Sequence, residues 1–338
     1  MTADDSALRI GTRASDLALT QSGQVGAALV AGTDHAVELV HVSTQGDRDR
    51  TSPLAQIGGT GVFVTAVRQA LLDGTVDVVV HSCKDLPTAA LEEITLASYP
   101  VREDPRDALC ARDGMTLEQL PAGATVGTGS PRRAAQLLRA RPDLDVQGIR
   151  GNVETRLGRA LGEDADLDAV VLAASGLRRV GREAAISELL PVDVMLPAPA
   201  QGALAVEATS ASLASGPWFA QRLAAVDDPA TRAAVTAERA LLRTLEAGCS
   251  APVAAYAELE IAAAESADGA GGSGVLRLRA LAIRPDGSHV VEGEARVTLD
   301  LAVDELSGPG SVPAELGAEL AADLIERGAG EILAEARA

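Results

Sequence analysis

Residues 76–87 read Val76-Asp77-Val78-Val79-Val80-His81-Ser82-Cys83-Lys84-Asp85-Leu86-Pro87. An apolar β-branched run stops at a cluster of ionisable side chains, the pattern of a buried strand that ends in a ligand-facing loop. Working outward, residues 62–72 carry a helical pattern, and residues 8–12, 16–30 and 37–43 read as strand, helix and strand. Such strand–helix alternation predicts an α/β fold, a mostly parallel sheet covered by helices. Lys84 is the only lysine among 29 basic residues. A lysine kept in so arginine-biased a chain marks a place for a compact, flexible point charge, unless it is a chance survivor.

A second set of elements begins near Arg102. Residues 107–111 and 125–127 read as strands, 132–140 as a helix, 146–149 as a strand, 153–161 as a helix and 169–173 as a strand. In such folds ligands bind at the carboxyl ends of strands. Those ends hold Thr12-Arg13, His81 to Asp85, Thr128 to Arg133, Arg150-Gly151-Asn152 and Ser175-Gly176. From Asp227 the composition changes. A long alanine-rich helical pattern over 229–245 is followed by Gly248-Cys249-Ser250, by strands over 253–259, 275–283 and 289–297, and by a final helix over 313–336. This set predicts a small α+β domain, with the Ala/Gly/Ser-rich stretch 262–274 as a flexible turn within it.

The chain has 338 residues, room for two or three domains. Its 48 acidic and 29 basic residues give a net charge of -19, which opposes nucleic acid or an anionic membrane surface as a partner. Arginines nevertheless gather between Arg132 and Arg182, which suits a basic pocket for a small polyanion. The first thirteen residues include acids and no apolar core of a signal peptide, and no stretch approaches the ~18 apolar residues of a spanning helix, so a cytoplasmic protein is expected. Cys83, Cys110 and Cys249 have neither disulfide-framework nor zinc-site spacing, and no metal site is expected. With two Phe, two Tyr and one Trp, the core must be built from Ala, Val and Leu.

Several loop positions concentrate positive charge or backbone donors. In Thr128-Gly129-Ser130-Pro131-Arg132-Arg133, Ser130 suits an N-cap and Pro131 the first helical position, so N–H groups and the helix dipole join two guanidiniums in attracting an anion. Arg150-Gly151-Asn152-Val153-Glu154-Thr155-Arg156 repeats the arrangement, and Arg13 and Arg178-Arg179 complete it. One such arginine is ordinarily a solvated surface residue; six at strand ends point to several carboxylates or phosphates. Gly58-Gly59-Thr60-Gly61 lacks the phosphate-loop pattern and suits a mobile loop. Asp85 is either one half of a surface ion pair or a carboxylate that stabilises developing positive charge. Cys249, taken alone, is more simply a small buried side chain than a nucleophile.

His81-Ser82-Cys83-Lys84-Asp85-Leu86-Pro87, Arg102-Glu103-Asp104-Pro105-Arg106-Asp107, Arg150-Gly151-Asn152-Val153, Pro199-Ala200-Gln201-Gly202, Glu238-Arg239-Ala240 and Leu245-Glu246-Ala247-Gly248-Cys249 resemble, in one order, the motifs of the porphobilinogen deaminase (hydroxymethylbilane synthase) family. The resemblance runs from about Leu8 to the final helix. It implies an enzyme that condenses four porphobilinogen molecules head to tail, releasing ammonia each time, and hydrolyses the product to hydroxymethylbilane in haem biosynthesis. It also implies a dipyrromethane cofactor in thioether linkage to Cys249. Asp85 falls on the catalytic aspartate, suited to stabilising the electron-poor azafulvene left by ammonia and the cationic pyrrole that follows.

By the same resemblance, Ser82, Lys84, Thr128, Ser130, Arg132, Arg133, Arg150 and Gly151 bind the cofactor, and Arg13, Ser15, Gln21, Phe63, Arg150, Arg156, Arg179 and Gln201 bind substrate. The implied architecture is two α/β domains of the class II periplasmic-binding type, 1–102 with 202–226 and 103–201, plus an α+β domain 227–338 that carries Cys249. A monomer is the family expectation. Gln56 and Thr60 stand where relatives carry lysines, and Cys83 where methionine or leucine is usual. Asp16 and Pro131 replace a more common proline and leucine. The competing reading from another class is a two-lobed module that clamps a polycarboxylate without transforming it.

Overall fold

The computed structural model describes residues 7–42, 61–248, 251–261, 273–301 and 305–337. Gln56, Gly58, Gly59, Thr60, Cys249, Ser250 and residues 262–272 lie outside them. The chain divides into two compact units, Met1–Arg102 with Ala203–Asp228, and Glu103–Gly202 with Pro229–Ala338.

The first unit holds a five-stranded sheet of β1 (Ala7–Thr12), β2 (Ala36–His41), β3 (Val78–Ser82), β4 (Ile94–Ser98) and β10 (Leu204–Thr209), in the order β2-β1-β3-β10-β4. β1 runs parallel to β2 and β3, whereas β10 is antiparallel to both β3 and β4. Helices α1 (Asp16–Val30), α2 (Gly61–Leu72), α6 (Ser210–Ala214) and α7 (Trp218–Val226) complete it. Leu8, Ile10, Leu29, Val78, Val206 and Leu223 make an aliphatic core on one face. On the other, Val67 and Leu71 of α2 pack on Val76 and Val79.

The second unit contains two sheets. One joins β5 (Asp107–Ala111), β6 (Thr125–Thr128), β7 (Asp145–Gly148), β8 (Ala169–Ala173) and β9 (Glu188–Leu189) in the order β7-β6-β8-β5-β9. Its helices are α3 (Pro131–Ala140), α4 (Val153–Leu161) and α5 (Ala174–Arg179). The plan repeats that of the first sheet: a parallel trio, then a fourth strand, β5, antiparallel to its neighbours. The other is an antiparallel meander of β11 (Val253–Ile261), β12 (Ser273–Ile283) and β13 (Val290–Asp300). Against it pack α8 (Pro229–Thr244), α9 (Val312–Glu326) and α10 (Ala329–Glu335), sealing Ala233, Ala237, Leu241, Leu278, Leu320 and Leu324.

The observed α/β class and the strand–helix alternation match the sequence reading, although β4, β9, β10, α5, α6 and α7 are not among the elements it predicts. Each five-stranded sheet is mostly parallel, as expected, but its fourth strand in order, β10 or β5, runs opposite to the other four; that strand follows a chain crossing between the units, which local periodicity does not reveal. The expected final helix over 313–336 is two helices, separated at Gly328, whose φ of 104° interrupts the helical path. The composition change at Asp227 falls short of the unit boundary, since Tyr99 N–H donates to the Asp227 carboxylate at 2.7 Å and Asp228 N–H donates to Tyr99 O at 2.8 Å, holding both acids to the first unit.

Candidate active site

In the first unit, β1 and β3 end side by side at Thr12 and Ser82. Arg13 follows β1 and is half-buried, and Ser15 caps α1, its Oγ accepting the Ala18 N–H at 3.4 Å. The chain leaves β3 through one 3-10 turn, Cys83–Asp85, tied by Leu86 N–H to Cys83 O at 3.1 Å and by Cys83 N–H to Ala203 O at 3.0 Å. Cys83 is buried, Lys84 half-buried and Asp85 exposed. Alternation along a strand sends Ser82 and His81 to opposite faces. Ser82 Oγ is hydrogen-bonded to the buried Gln21 of α1, within 2.8 Å of Nε2. His81 Nε2 lies 3.0 Å from the Glu207 carboxylate of β10, which Arg68 of α2 also holds, Nε to Oε2 at 3.0 Å. The strand end that presents Lys84 and Asp85 is therefore pinned on both faces.

Glu207 is almost wholly buried. Burial pushes its pKa up, but hydrogen bonds from His81 and Arg68 and their charges outweigh that and hold it at about 2. Phe63 lies in α2, and its side chain is outside the described residues.

In the second unit, Thr128 ends β6 and Ser130 caps α3 with Pro131 in its first turn, as the sequence predicts. Ser130 N–H donates to Thr128 Oγ1 at 3.2 Å, and Ser130 Oγ accepts the Arg133 N–H at 3.5 Å. Each hydroxyl thus accepts from the turn and keeps its own proton to donate elsewhere. Arg156 of α4 brings its guanidinium beside this turn, 3.7 Å from where a β-carbon on Gly129 would stand. Arg150 is exposed after β7, next to Gly151 in the left-handed region at φ 107°, and Asn152 caps α4 by accepting the Thr155 N–H at 2.8 Å. Arg179 Nη2 donates to Gly202 O at 2.7 Å, and burial lowers its pKa against the pull of Glu103. Arg178 forms ion pairs with Glu103, Asp104 and Glu183.

Three residues expected to meet a ligand have protein partners in the second unit. Arg132 and Arg133 are buried and already hold an anion, the carboxylate of Asp107, at 2.8 Å each. Arg132 also donates to Leu196 O at 2.6 Å, and Arg133 to Val171 O at 3.1 Å. Gln201, fully buried, donates to Pro105 O at 2.7 Å and to Asp107 at 2.8 Å. The helix N-terminus does gather two guanidiniums around a carboxylate, but that carboxylate is the protein's own. Burial pushes the Asp107 pKa up; the charges of Arg132 and Arg133, with hydrogen bonds from Arg132 and Gln201, outweigh it and hold it at about 2. Two cations around one anion leave the cluster with a net charge of about +1 at neutral pH.

Asp107, Glu207 and Glu238 were absent from the sequence-level candidates. Their partners lie far along the chain, Gln201 for Asp107 and His81 for Glu207. The available signal was an acid inside or against an apolar strand run, as in Leu204-Ala205-Val206-Glu207-Ala208 and Asp107-Ala108-Leu109.

In the first unit the strand ends present the half-buried Arg13 and Lys84, the capped N-terminus of α1 and the exposed acids Asp16 and Asp85; in the second they present the hydroxyls of Thr128 and Ser130, two capped helix N-termini, and Arg150, Arg156 and Arg179. That donor set fits a ligand with several carboxylates and a reaction in which positive charge develops. Among the described residues no group of three or more His, Cys, Asp or Glu is arranged to hold a metal, and no helix is long and apolar enough to cross a membrane.

Comparison with known proteins gives a concordant result along the whole chain. Residues 8–214 match the family model "Porphobilinogen deaminase, dipyromethane cofactor binding domain", and residues 232–326 match "Porphobilinogen deaminase, C-terminal domain". Proteins named porphobilinogen deaminase are 52% identical over 98% of the chain in Thermobifida fusca, covering 97% of that protein, and 49% identical over 97% of each in Cutibacterium acnes. Porphobilinogen deaminase 1 of Streptomyces avermitilis is 51% identical over 98% of each chain. Among solved structures, the periplasmic aliphatic sulphonate binding protein SsuA from Escherichia coli covers 71% of each chain at 14% identity and a TM-score of 0.37, too distant a likeness to bear on function.

Proposed function

Because the chain belongs to the porphobilinogen deaminase family, we propose that Asp85 is its catalytic carboxylate and that the strand-end loops of both units bind the carboxylates of substrate and cofactor. The protein is a hydroxymethylbilane synthase, a transferase of tetrapyrrole (haem) biosynthesis. It condenses four porphobilinogen molecules with loss of ammonia and hydrolyses the product to hydroxymethylbilane. Its dipyrromethane cofactor, when bound, supplies the primer from which the tetrapyrrole grows.

The observation that carries the residue assignment is Asp85 itself: an exposed carboxylate on a one-turn helix whose preceding strand is held on both faces by Ser82–Gln21 and His81–Glu207. As ammonia leaves the substrate's aminomethyl group, positive charge spreads onto the pyrrole ring and its N–H. A carboxylate fixed within hydrogen-bond reach stabilises that charge without reorganising at the moment of reaction. Asp85 then accepts the proton released when the new carbon–carbon bond restores the aromatic ring.

Carboxylate binding follows from the donors. Thr128, Ser130 and Gly151 offer hydroxyl and backbone donors, and Arg13, Arg150, Arg156, Arg179 and Lys84 offer charge, with Ser15 and Ser82 as polar supplements. Arg132 and Arg133, anchored by Asp107, add positive charge to the cofactor-binding turn, Gln201 holds Asp107 in place, and Gln21 orients Ser82 in the first unit. Cys249 is the thioether site by its motif. The three sheets, each with its own helices, support a three-domain reading in which 103–201 and 229–338 are separate domains of the second unit. The enzyme acts as a cytoplasmic monomer on a small molecule, with no nucleic-acid or membrane partner, a reading supported by the family resemblance and the net charge of -19.

Asp85→Asn keeps the shape and removes the charge. Its kcat is expected to fall at least ~100-fold with the melting temperature unchanged, and Asp85→Glu, displaced by one methylene, to fall less. Wild-type turnover in the asparagine variant overturns the assignment.

A further inference from the structure

Three of the sequence motifs serve no step of the chemistry above: the one ending in Asp107, the one containing Ala200 and Gln201, and the one beginning with Glu238. In the second unit they form a single chain of contacts. Glu238 sits mid-way along α8, fully buried, and its two carboxylate oxygens accept backbone N–H groups from two different segments: Oε1 from Ala257 of β11 at 2.7 Å, and Oε2 from Ala200. Ala200 has φ 61°, the left-handed region that an alanine adopts only when its surroundings impose it. That twist turns the next side chain, Gln201, inward, where its amide nitrogen reaches Asp107 at 2.8 Å and its amide oxygen accepts from Arg133 at 3.4 Å. Asp107 in turn binds both Arg132 and Arg133. The strap around Ala200 is stitched on the same two sides one turn earlier. Gln136 of α3 exchanges hydrogen bonds with the Leu196 backbone, and Ala255 of β11 donates to Pro197 O at 3.1 Å.

We propose that Glu238 is a positioning residue for the carboxylate-binding turn Thr128–Arg133, acting through the left-handed Ala200, Gln201 and Asp107. The relay connects α8 with the turn assigned to carboxylate binding. An acid is required because two N–H groups converge on one side chain. A carboxylate accepts both, whereas a glutamine accepts one and turns its own NH2 towards the other. The inference rests on the functional reading above.

The test compares purified wild type with Glu238→Gln, Gln201→Met, their double variant, and Glu238→Gln with Ala200→Gly. For each, melting temperature, the cofactor-modified fraction by intact mass, and KM and kcat for porphobilinogen per modified enzyme are measured at a temperature where circular dichroism shows the variant folded. The relay predicts a KM raised about tenfold or more in each single variant. The double variant is no worse than the worse single one, because both substitutions break the same path. Glycine adopts φ above zero without strain, so Ala200→Gly is expected to recover threefold or more of the loss in Glu238→Gln.

Losses that multiply in the double variant, or a lowered melting temperature with an unchanged KM, overturn the inference. If Glu238→Gln does not fold, Gln201→Met decides alone: an unchanged KM overturns the relay and a raised one supports it. A wild type that does not consume porphobilinogen sinks the functional reading itself, which none of the variant results can do.

Discussion

Asp107 and Glu207 are buried carboxylates, the first held by Arg132, Arg133 and Gln201 and the second by Arg68 and His81, and both titrate at about 2 rather than at the usual 3.8 and 4.5. A carboxyl whose folded pKa lies below its unfolded value adds stability that is fully present above the unfolded pKa and is lost as pH falls towards the folded one. Each is worth about 2–3 kcal/mol at neutral pH by that relation. The urea midpoint is therefore expected to fall steeply from pH 4.5 towards 2, and the fall to be shallower by about one proton in Glu207→Gln; an identical slope contradicts the burial account. At pH 7 the same substitution leaves Arg68 without its carboxylate partner and is expected to cost about 3 kcal/mol in chemical denaturation. The strand-end positions of Arg13, Asp85 and Arg150 were legible in the sequence because each follows a short strand run. The buried acids were not, because what makes a buried charge tolerable is a partner brought close only by folding.

Helix packing sets opposite signs for two glycines. Gly317 of α9 faces α8 so closely that a β-carbon would stand 2.2 Å from Ala237 O, a backbone atom that cannot step aside without moving the helix. Gly158 of α4 has nothing within 4 Å of the same position. Gly317→Ala is expected to destabilise by about 2 kcal/mol or more, and Gly158→Ala to stabilise by about 0.5–1 kcal/mol; thermal unfolding that shows the same sign for both contradicts the packing described. Ser130→Ala removes the cap of α3 and is expected to cost about 1 kcal/mol. Helices such as α1, α4 and α8 were legible almost to their ends because a cap, a period and a stop signal are local. β10 was not, since it pairs with β3 and β4 across more than a hundred residues and carries a buried glutamate inside an apolar run.

At the scale of the whole molecule, the two five-stranded sheets repeat one plan, a parallel trio flanked by an antiparallel fourth strand. Their trios end at Thr12 and Ser82 in the first unit and at Thr128, Gly148 and Ala173 in the second, so the residues assigned to ligand binding lie where the fold exposes strand ends. The order of motifs carried the family, whereas alternation alone carried only the class. Sedimentation is expected to give a single species near 34.4 kDa, and a stable dimer contradicts the monomer assignment. The reading that separates this protein from a polycarboxylate-binding module is a covalent primer on Cys249. Intact mass spectrometry of the active enzyme is expected to show an adduct equal to two porphobilinogen units less two ammonia, absent from Cys249→Ser together with turnover; an unmodified chain that still makes hydroxymethylbilane contradicts the account.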